Sequence, residues 1–168
     1  YVVSLIGKTL VLLIAPINTI VISYLTKRKE RLTRSQFGKA VLAGGGVSLV
    51  FFVACQIGTP LFVWLFYRNL YESVKGIVTV VNLAQILGLF SAFLFILVLT
   101  ITDERWQLWI QLAHFCILIV SSVLAARTYG MMGFAVASLG ANSLRVAAVV
   151  ILGIVKAGKD KGDRNADR

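Results

Sequence analysis

Chemistry inside a membrane has to come from polar side chains that are unfavourable to place there, so the few such residues within the apolar runs of this sequence are the first to weigh. Asn82 and Gln85 share one uncharged run, and Ser138, Asn142 and Arg145 fall on one helical face of another. These are amides, a hydroxyl and a fixed cation, the groups that hold a phosphate or other anion in a water-filled cavity. Arg145 lies roughly 15 Å from the end of its run at Lys156 if the segment is helical, a depth from which snorkelling to the surface is difficult. It therefore either faces such a cavity or has an internal partner, a carbonyl or an amide on a neighbouring helix.

A further stripe, Gln107, Gln111, His114 and Ser121, falls within about 80° at 100° per residue. It either hydrogen-bonds neighbouring helices or lines a hydrophilic passage. Asn82, Gln85 and Asn18 carry the same two readings. Acid chemistry has no candidate here, because Glu30, Glu72, Asp103, Glu104, Asp160, Asp163 and Asp167 all fall in loops, at run ends or in the tail. With His114 the single histidine, and Cys55 and Cys116 isolated in apolar runs, neither a metal site nor a disulfide framework is expected. No glycine-rich phosphate loop and no nucleophile with its base occur, so nothing argues for an enzyme or a cofactor.

The elements that must position these residues are membrane helices. Hydrophobic residues make up 58% of the 168 and charged residues 14%, with a mean hydropathy of +0.87, which excludes a soluble domain. The organising stretch is 40–67, twenty-eight uncharged residues between Lys39 and Arg68. As a helix it is about 42 Å long, more than the roughly 30 Å of bilayer hydrocarbon. Ala40, Gly44 and Ser48 recur every four residues and offer a neighbour a close-packing strip. The uncharged runs predict five spans, at about 3–24, 38–66, 75–100, 105–126 and 130–155. Short connections make successive helices antiparallel neighbours in an all-α bundle. Pro16 and Pro60 each remove a backbone donor within a span and mark expected bends. In the last span Gly133, Ala137 and Ala141 form a second small-residue strip.

Charge sets the sidedness. Twelve of the 17 Lys and Arg fall on one side, in the 27–39 loop, at Arg105 and from Lys156 onward, against Lys8, Arg68, Lys75 and Arg127 on the other. The positive-inside rule makes the crowded side, with the C-terminus, cytoplasmic. This placement between apolar runs marks the net charge of +10 as a membrane-surface feature and excludes nucleic acid as its reason. Residues 158–168, rich in Lys, Asp, Gly and Arg, read as a disordered basic tail. Tyr24, Trp64, Phe66, Tyr67, Tyr71, Trp106, Trp109 and Tyr129 gather near span ends as interfacial anchors. A start at Tyr1, with neither a basic leader nor a cleavage motif, reads as a fragment lacking its upstream part.

Several stretches, in order, resemble the C-terminal half of bacterial polysaccharide flippases, the oligosaccharide flippase branch of the multidrug, oligosaccharidyl-lipid and polysaccharide exporter superfamily. Tyr1-Val-Val-Ser-Leu-Ile through Ala15-Pro16-Ile17 resembles the eighth helix of that family, and Gln36-Phe37-Gly38-Lys39 the end of its basic loop. Thr59-Pro60-Leu61-Phe62-Val63-Trp64-Leu65-Phe66, followed by Tyr71, resembles the end of the ninth, although Tyr67 and Arg68 stand where a glycine is usual. Tyr129-Gly130-Met131-Met132-Gly133-Phe134-Ala135 resembles the turn before the last helix.

The resemblance implies part of the C-terminal six-helix lobe of a twelve-helix transporter. It implies flipping of an undecaprenyl-diphosphate-linked oligosaccharide across the bacterial cytoplasmic membrane, with a missing N-terminal lobe as partner. Chemistry alone, and no family motif, selects Asn82, Gln85, Asn142 and Arg145 as cavity-lining candidates for that substrate. A multidrug exporter of the same superfamily has a similar outline, but often carries an acid in a span. A membrane-embedded glycosyltransferase or polymerase would need a long extracytoplasmic loop. A non-transporting scaffold subunit would bury the polar faces of spans three to five against one another.

Overall fold

A computed structural model describes the backbone of residues 33–99, 101–102 and 104–166, and the side chains there other than those of residues 70, 104 and 158–166. All its elements are helices: α1, Arg34–Phe66; α2, Arg68–Leu99; and α3, Glu104–Ala166. The first expected span, with Lys8, Pro16 and Asn18, lies outside the described residues.

α1 begins where local chemistry sets its start. Thr33 is the N-cap of a capping box, its hydroxyl accepting from the Gln36 backbone N–H at 3.4 Å while the Gln36 side chain accepts from the Thr33 N–H at 3.1 Å. Two donors that a helix start leaves without partners are thereby satisfied. The helix runs through Pro60 to Phe66 and ends at Tyr67, whose φ of −135° and ψ of 47° break it. α2 resumes at once at Arg68, so the segment between the second and third expected spans is helical, with Lys75 paired to Glu72 one turn earlier.

α3 contains 63 residues, of which the stretch Arg105–Ala157 is apolar enough to cross a membrane. Straight, that stretch would measure about 80 Å, well over twice the hydrocarbon thickness. It folds back at Gly130, where φ is 61° and ψ −140°, a conformation that side-chain-bearing residues rarely adopt. Three contacts establish the hairpin. Gly133 packs on the carbonyl of Ala125 so closely that a Cβ there would overlap it; His114 meets Asn142; and the Lys156 ammonium sits 5.7 Å from the Trp106 ring centroid. We call 104–129 the first limb and 131–166 the second; they occupy the fourth and fifth expected spans. The second limb is helical to Ala166, through most of the segment expected to be a disordered tail.

α2 is central. Its one face meets α1, with Gly44 so near the rings of Phe90 and Phe93 that a Cβ at Gly44 would lie 2.5 Å from a Phe93 carbon. Gly44, the middle residue of the Ala40–Gly44–Ser48 strip, is thus a point of close contact with α2. The opposite face meets the second limb, running parallel to it. At one end Phe37 of α1, Leu94, Leu97 and Val98 of α2, Ile101, and Val149 and Ala157 of the second limb form a closed apolar core. Outward faces remain apolar and uncovered: Leu42 is 78% exposed, Val50 69% and Leu108 69%. So much exposed aliphatic surface on helices of this length identifies a membrane protein, since in water it would drive aggregation.

Candidate functional site

The polar residues of α2 divide between its two faces. Asn82 is 1% exposed and faces α1. Its Nδ2 donates to the carbonyl of Cys55 at 3.1 Å and to Gln56 Oε1 at 3.0 Å, and its Oδ1 accepts from Thr59 Oγ1 at 3.2 Å. Gln56 Nε2 in turn donates to Thr79 Oγ1 at 2.9 Å. Both amide protons and the carbonyl of Asn82 are therefore used, and the network ties two turns of α1 to α2.

Gln85 lies on the other side, in a groove of about 230 Å³ between α2 and the second limb. Ile77, Val81, Ala84 and Gly88 continue its α2 wall at helical spacing, while Met131, Phe134, Ala135, Ser138 and Asn142 make the wall opposite. The lining is mainly apolar, with Gln85, Ser138 and Asn142 as its polar groups. Gln85 Oε1 is enclosed and has no hydrogen-bond partner among the described residues. Asn142 Nδ2 donates to the Ala84 carbonyl at 2.8 Å, and its Oδ1 accepts from His114 Nε2 at 3.2 Å. This one side chain joins α2 and both limbs of α3. Gly88 makes the arrangement feasible, because a Cβ there would already touch the Asn142 amide at 3.4 Å.

Arg145 comes one turn after Asn142, beyond the groove. Its guanidinium carbon is 5.2 Å from the centroid of Phe95 on α2, and its Nε is enclosed without a partner among the described residues. The nearby group is thus an aromatic face, a cation–π contact, where the sequence pointed to a carbonyl, an amide or water.

Of the four candidates, the structure brings Gln85 and Asn142 into one groove, sets Arg145 a turn away, and places Asn82 in the seam with α1. Pro60 lies inside α1, next to Thr59 of that seam. The fourth-span stripe also separates. His114 bonds Asn142, Ser121 donates to the Ile117 carbonyl of its own helix at 2.6 Å, Gln107 is buried with Nε2 unpartnered among the described residues, and Gln111 is exposed. Ala84, whose carbonyl holds Asn142, and Gly88, which makes room for it, had no polar signal to reveal them. The one available clue was Gly88, a glycine one turn from Gln85. No family model matches this sequence, and no curated protein or solved structure matches it either.

Proposed function

We propose that this chain forms part of a bacterial membrane transporter that flips an undecaprenyl-diphosphate-linked oligosaccharide from the cytoplasmic to the outer leaflet. In this reading the α2–second-limb groove is part of the wall of the transport pathway. The observation carrying it is the pairing of Gln85, whose enclosed oxygen lacks a partner, with Ser138 and Asn142 across a groove set within membrane-crossing helices. An unpaired amide oxygen enclosed between membrane helices is unfavourable unless something polar visits it. Arg145, one turn on with a partnerless Nε, is suited to a passing diphosphate. The crowding of basic residues at one end supports the orientation with that end in the cytoplasm. The resemblance to oligosaccharide flippases supplies the substrate class.

The test is export of surface polysaccharide by cells carrying the full-length protein. Gln85→Ala and Arg145→Ala should each cut export at least tenfold while the protein inserts at wild-type levels. Normal export by both inserted variants would remove the groove from the pathway. A second reading, a non-transporting scaffold, is favoured by the Asn82 and Asn142 bonds, which are spent on neighbouring helices. It expects assembly of a larger complex, and not export by this chain, to fail when those two are replaced.

A further inference from the structure

The ends of α1, α2 and α3 that carry the crowded basic residues are brought together by one seat. Phe37 is 1% exposed, and its ring lies so tightly on Gly153 of the second limb that a Cβ there would overlap it. α1 and the second limb are antiparallel, so this contact fixes their register. Arg34, one turn before Phe37, stands level with Lys156, one turn after Gly153. Two cations on adjacent helices therefore share one level, and the Lys156 ammonium rests over Trp106 at the start of α3, next to Arg105.

Among the described residues Arg34, Lys39, Arg105 and Lys156 form no ion pair, while the pair Lys75–Glu72 lies at the opposite end of the bundle. The first turn of α1 contains no acid, and Arg34 adds a positive charge where the helix dipole is already positive. Directly beneath lies the closed core of Phe37, Ile101, Val149 and Ala157. Beside it Trp106 is 50% exposed, Trp109 66% and Leu108 69%, giving an aromatic and aliphatic flank at the same level. Positive charge above and apolar surface alongside is the complement of an anionic phospholipid, with its phosphate among the cations and its chains along the first limb.

We infer that Arg34, Lys156 and Trp106 form a binding site for the phosphodiester headgroup of an anionic membrane phospholipid, which closes the basic end of the bundle. The site is separate from the groove and does not depend on its transport role. Lipid occupancy joins α1 to the α3 hairpin at this end, so it stabilises their packing by mass action.

The test is thermal unfolding of the chain reconstituted in phosphatidylcholine vesicles with and without phosphatidylglycerol. Phosphatidylglycerol should raise Tm by several degrees in the wild type. Arg34→Gln with Lys156→Gln should abolish that shift, measured as the difference between the two lipids for the same variant whatever its Tm in pure phosphatidylcholine, and Arg68→Gln with Arg127→Gln at the other end should keep it. Inorganic phosphate added to phosphatidylcholine vesicles should give no shift. An equal shift from free phosphate, or a full lipid shift in the Arg34/Lys156 variant, would overturn the site. Should that variant fail to fold, tryptophan quenching in a Trp64→Phe chain decides: brominated phosphatidylglycerol should quench at least twofold more than brominated phosphatidylcholine, and equal quenching contradicts the proposal.

Discussion

Two faces of α2, three residues apart, use the same chemistry in opposite ways. Asn82 on the α1 side has both amide protons and its carbonyl engaged, and Gln85 on the second-limb side has an enclosed oxygen with no partner. Both are primary amides at similar depth in one helix. Their difference comes from what faces them: Thr59, Gln56 and the Cys55 carbonyl on α1, against the mainly apolar groove walls. In lipid, apolar contacts gain little from excluding water, so packing and interhelical hydrogen bonds carry much of the association. A satisfied amide is therefore part of the structure, and an unsatisfied one is available for something else.

This contrast orders the expected effects of substitution. Asn82→Leu should be the most damaging, because it strands Thr59, Gln56 and a backbone carbonyl together. A loss of about 1–3 kcal/mol in mixed-micelle unfolding is expected, and a loss too small to resolve would break the distinction between the faces. Asn142→Leu should follow at about 1 kcal/mol, since it removes single bonds to Ala84 and His114. A double-mutant cycle of Thr59→Val with Asn82→Leu should return a coupling near 0.6 kcal/mol, typical of polar pairs in membrane helices. Gln85→Leu should have the smallest effect on stability, within about 0.5 kcal/mol of wild type, because no bond is lost with it. Its effect should appear in export instead.

Much of this arrangement could be read from the residues. The lengths of the uncharged runs located the α1, α2 and α3 crossings, and Gly44 of the Ala40–Gly44–Ser48 strip marked a close contact with α2. Helix starts were less legible where charged residues were taken as loops: Arg34 and Arg68 each begin a helix. The signal for the first was present in Thr33 and Gln36, a capping box ahead of Phe37. The turn after Tyr67 left none, because one residue suffices for it. Helical arithmetic placed Ser138, Asn142 and Arg145 on one face, yet it could not say that Asn142 meets Ala84 while Arg145 meets Phe95. Lipid and neighbouring helix are equally apolar, so periodicity does not reveal which face is covered, and partner choice rests on fit at residues such as Gly88.

The most direct test of the contrast is thiol accessibility in cells, in a full-length protein with Cys55 and Cys116 replaced. Single cysteines at positions 82, 85, 138 and 142 would be exposed to a small water-soluble thiol reagent. The account predicts that positions 85, 138 and 142 label and position 82 does not, marking a wet groove and a dry seam on one helix. Labelling at 82 equal to that at 85, or none at the three groove positions, would contradict it.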